Sequence, residues 1–360
     1  MASNHKLTEN LTEIRSITGL KNACVLPVGT VISDNDDLME KASHYLEGFK
    51  ASEQDVMEAD GLLLFKVLVD GDPEYIYVQE NGKDSLAYGR MAVMQLRNLA
   101  EGAREQLDRN RFMQNLLLRN MLPVDAAAKA RKLHIDNKPR AAFVIDTGKK
   151  TTDIVLELVK NLYNMKSADF ATPVDSHRIA LIKDMSGVSE DSLEEEMEAI
   201  AMLLVDSIHM DAMIKVRVGY GNLAETVDTI AESYQEACLA LEVGRVFYAG
   251  RDTISYGRLG IGRLIHQLPV NLCQMFIKEV FGDQLPEILE DEEAMTIITR
   301  FFENSLNISE TARQLYMHRN TLVYRLERIQ RAIGLDIRNF DDALTFRIAV
   351  MVLAHLKDNN

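Results

Sequence analysis

Cysteine is scarce in this 360-residue chain: Cys24, Cys238 and Cys273 are widely spaced, with no C-x-x-C pair. That excludes a disulfide framework and a cysteine-built zinc site. It leaves three reduced, buried thiols of a cytoplasmic protein as the expectation. Runs of 18 apolar residues are missing, and the N-terminus lacks an apolar signal region, so a soluble chain is expected. The eight histidines show no ligand spacing; His134, His177, His209 and His266 stand alone. No metal set, no Ser/His/Asp triad and no cofactor motif can be argued from their order. Positive charge is short too, with 40 Lys+Arg against 55 Asp+Glu and a net charge of −15. So acidic a chain argues at first against nucleic acid, whose non-specific affinity is largely phosphate neutralisation.

The distribution of charge reverses that argument. From Ala294 to Asn360 there are nine Lys/Arg and seven Asp/Glu, a local balance of +2 that leaves −17 for the rest. The non-acidic stretch is also the most patterned. A helix is expected over about Ala294–Asn304, with Ile297, Ile298, Phe301 and Phe302 on one side. A second helix follows Asn307, with Ser309 placed to cap its first turn. Its Ala312 and Leu315 face inward, and Ala312 is small enough for a steep helix crossing. After a turn at Tyr316–His318, a third helix runs from Arg319 or Asn320 to Ile333 and is closed by Gly334. Leu322, Leu326, Ile329 and Ile333 form its apolar stripe. Arg319, Tyr324, Arg325, Arg328 and Arg331 lie mostly off it. Two short helices joined by a tight turn, the second carrying arginine and asparagine, are the unit that places a helix in the DNA major groove. Arginine supplies a donor fork for phosphate or guanine, and asparagine can read adenine.

These residues carry a family resemblance. The stretch Thr311–Leu353, with His318-Arg319-Asn320-Thr321-Leu322, Tyr324-Arg325-Leu326, Ile329 and Gly334-Leu335, resembles the C-terminal helix-turn-helix of PucR-type bacterial transcription regulators, which include the purine-catabolism and sugar-diacid (CdaR) regulators. The resemblance implies a DNA-binding regulator with Arg319, Asn320, Thr321, Tyr324 and Arg325 at the DNA surface. Ser309, Thr311, Arg313, His318 and Arg328 complete the expected DNA-facing set.

At this length two or three domains are expected. The first ~85 residues read as an α/β module. A helix over about Lys6–Thr18 precedes the apolar run NACVLPVG. Gly29-Thr30 turns into a short strand at Val31-Ile32. Asp34–Ala51 is helical, with Leu38, Ala42, Tyr45 and Phe49 on one face. GLLLFKVLVDGDPEYIYVQE gives two strands joined at Asp70–Pro73. A long helix over about Ser85–Met121 follows, with Leu96, Leu99, Ala103, Asn110, Met113 and Leu117 near heptad positions. In pattern this order is similar to PAS, GAF and roadblock-like sensory modules. Ligand sensing and pure dimerisation both stay open for it.

From about Asp125 to Pro269 a second α/β domain is expected. Its strands are RAAFVIDT, RIALIKDM, KVRVGYG and TISYGRL, and its helices span Thr151–Asn164, Ser192–His209 and Glu225–Val243. In PucR-type regulators this place is held by a domain resembling a degenerate GGDEF nucleotide cyclase. A working cyclase of that type needs two metal carboxylates and a Gly-Gly hairpin against the nucleotide. Asp146 stands where the first carboxylate would be. Val174-Asp175-Ser176-His177-Arg178 replaces the glycine hairpin, so catalysis is not expected. Val218–Leu223 (VGYGNL) lacks a third glycine and any Lys-Ser/Thr, and is expected to be a plain strand-to-helix turn. GRLGIG at 257–262 reads as a flexible connection, and Glu190–Glu198 as a solvated helix face. A relay helix over about Asn271–Val280 leads into the DNA-binding part. A last helix over 341–357 would pack Leu344, Ile348, Met351 and Val352 on the three-helix core.

The expected fold class is thus multidomain α/β plus all-α: a sensory module over 1–84, a connecting helix over 85–124, a GGDEF-like domain over 125–280 and a helix-turn-helix bundle over 281–360. The expected function is an effector-responsive transcription regulator, an activator of a metabolic operon, whose two-fold symmetric recognition of double-stranded DNA requires a homodimer or higher. The competing reading is a nucleotide-binding or nucleotide-processing enzyme with an appended DNA-binding domain. No membrane partner is expected, and the small-molecule effector is unspecified.

Overall fold

The computed structural model describes residues 4–27, 29–33, 35–148, 152–163 and 168–358. The expected helix bounds Asp34, Thr151 and Asn164 lie outside them. The chain forms two compact units, Met1–Asn115 with Ala127–Ile135, and Leu116–Ala126 with Asp136–Asn360.

The first unit begins with α1 (Asn4–Thr18), β1 (Asn22–Val25), β2 (Val31–Ser33) and α2 (Asp36–Ala51). It continues with β3 (Val56–Ala59), β4 (Leu62–Val69), β5 (Asp72–Glu80) and α3 (Ser85–Leu117). The strands make one antiparallel sheet in the order β2-β1-β5-β4-β3. Alternation along each strand decides which face each residue serves. Leu63, Phe65, Val67, Tyr75 and Tyr77 point towards α1 and α3, joining Leu7, Leu11, Ala92, Leu96 and Ala100. Leu62, Leu64, Ile76 and Val78 point the other way, joining Leu38, Ala42 and Phe49 of α2. Helices therefore cover both faces. Asp70 and Gly71 both have positive φ (53° and 91°), the primed turn that matches strand twist. The edge strand β3 was not foreseen, because its VMEA sequence is short and only half buried. The α3 helix ends at Leu117, four residues before the expected Met121. Leu96 packs in its own domain core, with Leu99 and Ala103 against that core.

The helix α4 (Pro123–Lys132) is divided between the units, residues 127–132 belonging to the first; the second unit continues with β6 (Arg140–Asp146), α5 (Thr152–Tyr163), β7 (Phe170–Pro173), β8 (Arg178–Asp184) and α6 (Leu193–Ala212). Then come β9 (Arg217–Tyr220), α7 (Ile230–Phe247), β10 (Thr253–Ser255), α8 (Ile261–His266) and α9 (Val270–Phe281). The sheet order is β10-β9-β6-β8-β7, antiparallel except for β10 on β9. Phe143, Ile145, Val218 and Tyr220 pack with α5 and α6 on one face. On the other face α7 presses directly on the backbone. A Cβ on Gly219 would lie 2.5 Å from the Ala237 carbonyl oxygen, and one on Gly221 2.0 Å from that of Ser233. Those glycines are spacers for helix–sheet packing, so the VGYG run has a structural explanation.

Three expectations need correction here. GRLGIG is ordered: Tyr256–Arg258 form a 3-10 turn, Leu259 is buried, and Gly262 lies against Phe247 and Val243. Glu198 is not merely solvated: its carboxylate accepts from the hydroxyls of Tyr220 (2.7 Å) and Thr253 (2.9 Å) and pairs with Arg258. His266 is not isolated, since its ring meets that of His355 edge-on at 5.3 Å. Cys24, Cys238 and Cys273 are free thiols, and burial pushes Cys24 up to about 12.

Candidate nucleic-acid interface

The C-terminal part of the second unit holds α10 (Glu292–Glu303), α11 (Ile308–Gln314), α12 (Arg319–Ile333) and α13 (Phe340–Asp358). Each of the first three has a side-chain cap. Asp291 accepts from the N–H groups of Glu293 (3.0 Å) and Ala294 (3.1 Å), and its charge suits the positive end of the helix dipole. Asn307, not the expected Ser309, caps α11 by accepting from the Glu310 N–H at 3.1 Å. His318 caps α12, its Nδ1 accepting from the Asn320 N–H at 3.2 Å.

Both connections are closed without glycine. Ser305 and Tyr316 adopt left-handed φ of 52° and 51°. Leu306 N–H then donates back to Phe301 O (2.9 Å), and Met317 N–H to Ala312 O (3.0 Å). Companion bonds run from Ser305 to Phe302 and from Tyr316 to Arg313, the pairing of a Schellman closure. At the end of α12, Gly334 takes the left-handed position, φ 78°.

The core beneath is apolar. Ile297, Ile298, Phe301, Ala312, Leu322, Leu326, Ile329 and Ile333 pack together, with Phe346 entering from α13. The Phe346 ring makes edge contacts with Phe281 (6.1 Å) and Phe302 (6.4 Å). The expected stripe of α13 holds in part: Val352 is buried and Ile348 and Met351 are half-buried, but Leu344 is exposed, and Ala343, Phe346, Ala349 and His355 are the other buried positions. Ala349 and Val352 instead join Ile265, Cys273 and Ile277 of α8 and α9, and Arg245 of α7 pairs with Asp358 at 2.9 Å. The last helix thus ties the three-helix unit to the central domain.

With the apolar stripe turned inward, Arg319, Asn320, Thr321, Tyr324 and Arg328 stand exposed on the opposite side of α12. Among the described residues, none of those five side chains has a hydrogen-bond or ion-pair partner. The first turn of α12 contains no acidic residue, so nothing there opposes the approach of a phosphate. Ser309 is exposed on the first turn of α11. Three other expected contacts are placed differently. Thr311 is fully buried and its hydroxyl donates to Asn307 O at 2.8 Å, which removes it from the DNA-facing set. Arg313 is exposed but holds Glu310 through two nitrogens (3.0 and 2.6 Å), keeping that carboxyl below its usual range. Arg325 is half-buried and paired with Glu293 of α10. Sequence reading missed Glu293 and the cap Asp291, although an Asp three residues ahead of the apolar-periodic run was a usable signal for the latter.

In the central domain, Asp146 ends β6 and its carboxylate accepts from the Gly148 N–H at 2.9 Å. The hairpin in place of the glycine pair is closed by Asp175, which accepts from the N–H groups of His177 (2.9 Å) and Arg178 (2.8 Å). The hydroxyls of Thr147 and Thr152 donate to the carbonyls of His177 (3.0 Å) and Ser176 (2.7 Å) in this hairpin. Among the described residues, no three of His, Cys, Asp and Glu gather to hold a metal ion.

Residues 295–352 match the family model of the PucR C-terminal helix-turn-helix domain, and residues 119–243 that of the GGDEF-like domain. The purine catabolism regulatory protein of Bacillus subtilis (strain 168) is 25% identical over 44% of this chain and 30% of its own length. The carbohydrate diacid regulator of Escherichia coli (strain K12) is 22% identical over 91% of this chain and 85% of its own. The DNA-binding transcriptional activator AdeR of Bacillus subtilis (strain 168) is 25% identical over 38% of this chain and 33% of its own. The chain therefore spans about a third of the length of two of these relatives and most of the third.

Proposed function

We infer that this chain, a DNA-binding transcription regulator of the PucR and CdaR type, reads a two-fold operator as a homodimer or larger assembly and activates a metabolic operon in response to a small molecule. The observation that carries this reading is the unpartnered row Arg319, Asn320, Thr321, Tyr324 and Arg328, held outward by the buried stripe of α12. Arginine and asparagine in such a row supply base-edge contacts, and Ser309, His318 and Arg328 lie where phosphates would flank them. One subunit offers few free cations on an acidic chain, so tight binding calls for two half-sites engaged together.

Activation is supported by the activator among the relatives, and a metabolic effector by the catabolic and diacid regulators. The N-terminal α/β module is the proposed sensor. Its sheet, covered on both faces, supports a signalling or dimerisation role, and α3 follows that sheet in the chain, ahead of the central domain. The central domain is proposed to relay rather than catalyse, because the closed Asp175 hairpin lacks the glycines needed for close approach of a nucleotide. No helix of the described residues is long and apolar enough to cross a membrane, which fits a proposed place in the cytoplasm.

The test is recovery of genomic DNA fragments bound by the purified protein beside the Arg319→Ala variant. One two-fold motif, enriched by the wild type and lost in the variant, is the expected result. Loss of one base contact should lower discrimination by about 1–3 kcal/mol. Unchanged operator affinity in Arg319→Ala would mean that α12 is not the reading helix.

A further inference from the structure

Glu293 lies in the first turn of α10, and its carboxylate reaches across to the guanidinium of Arg325 on α12. Arg325 belongs to the Tyr324-Arg325 pair that the family resemblance implies at the DNA surface. We propose that Glu293 is an affinity-limiting residue of the DNA interface: it occupies Arg325 and thereby holds down the sequence-independent, phosphate part of binding, while leaving the base-reading row untouched. The proposal rests on the reading of α12 as the DNA-facing helix.

The geometry carries the argument in three steps. The Arg325 side chain is 34% exposed and that of Glu293 70%, so the pair sits at the rim where a phosphate could approach. A guanidinium fork engages one bidentate anion on a given edge, so a phosphate must displace the carboxylate or share Arg325 with it. A displaced Glu293 would stay beside the phosphate as an uncompensated like charge. Among the described residues, Arg319 and Arg328 carry no such partner. The cost of engaging Arg325 therefore falls on every DNA sequence equally. Contacts from Asn320, Thr321 and Tyr324 to base edges do not feel it. Lower phosphate affinity with unchanged base contacts weakens operator and random-DNA binding by the same factor, so the pair sets how tightly DNA is held and leaves base discrimination to the outer row.

The experiment uses the full chain and compares wild type, Glu293→Gln, Glu293→Asp, Arg325→Gln and the double variant Glu293→Gln/Arg325→Gln. Each is titrated on random-sequence duplex and on the selected operator across a range of salt, and its unfolding midpoint is measured. Freeing one cation for phosphate should steepen the salt slope by about 0.9 per subunit, a further loss of about 2.7-fold per subunit between about 0.1 and 0.3 M salt. Random-sequence and operator binding should tighten by the same factor, with their ratio unchanged. Glu293→Asp should behave as wild type, and the effect of Glu293→Gln should vanish when Arg325 is absent. An unchanged salt slope in Glu293→Gln overturns the proposal, as does an effect that persists in full without Arg325. Equal losses of unfolding stability in both single variants, with no change of slope, would make the pair a strut between α10 and α12 and overturn it too. Arg319→Ala run alongside separates the two levels: if it weakens the operator while Glu293→Gln does nothing, only the role of Glu293 fails.

Discussion

Replacing Asn307 by Ala should loosen the helix-turn-helix, whereas replacing Ser309 should not. Asn307 serves α11 in three ways. Its backbone N–H donates to Asn304 O at 3.0 Å, and its carbonyl accepts from the Thr311 N–H (3.0 Å) and the Thr311 hydroxyl (2.8 Å). Its side chain accepts from the Glu310 N–H at 3.1 Å. Alanine keeps the backbone bonds and loses only the last, so the expected cost is that of one cap, about 1 kcal/mol. The loss is concentrated because α11 has only seven residues and has no helical stability of its own. Ser309 makes no cap bond and is exposed, so Ser309→Ala should stay within about 0.5 kcal/mol of wild type. Urea unfolding followed by circular dichroism gives both numbers, and hydrogen exchange at the amides of 311–315 localises the effect. Asn307→Asp or Asn307→Ser should recover most of the loss. A Ser309→Ala variant that loses the full cap energy, beside a silent Asn307→Ala, would refute this assignment of the N-terminus of α11 and the placement of Ser309 on the DNA side.

Two further outcomes follow from the packing and the charges. Gly221→Ala should destabilise the central domain by about 3 kcal/mol, the upper part of the overpacking range, because the added Cβ meets a backbone carbonyl at 2.0 Å; a wild-type denaturation midpoint would contradict the packing of α7. Asp336, after α12, accepts from the Arg338 N–H and guanidinium (3.1, 2.7 and 2.9 Å), and this partner holds its carboxyl below the usual aspartate range. Its folded pKa being lowered, the stabilisation is present above the ordinary aspartate range and is lost as pH falls through the folded value; Asp336→Asn should remove that part of the acid sensitivity in pH-dependent unfolding.

The helices of the C-terminal unit were legible because a buried stripe imposes a 3.6-residue period on apolar residues. Leu322, Leu326, Ile329 and Ile333 gave the inner face of α12 before any coordinates, and its outer row by subtraction. The GGDEF-like domain was legible as a run of strands and helices, and its missing glycines as a defect in one motif. Where reading failed, the cause was local chemistry with more than one solution. Ser309 and Asn307 are both good caps, and which one is used depends on where the chain leaves the left-handed turn at Ser305. Neither Ser305 nor Tyr316 announces such a turn, since the usual signal there is glycine. Leu344 looked like a core residue of α13 because it is leucine; the helix is turned so that Phe346 meets Phe281 and Phe302 instead.

By itself the sequence determined what is repeated along the chain: the period of each helix, the alternation of each strand, the charge asymmetry and the polar row of α12. These are short-range properties, set by how far apart two residues can lie and still share one face. The tertiary structure decided what requires two distant segments to meet. It buried Thr311, set Glu293 against Arg325 and Glu198 beneath Tyr220 and Thr253, and brought His266 to His355. A side chain's charge is written in the sequence, but whether that charge is free to meet a phosphate depends on which carboxylate the fold has already placed beside it.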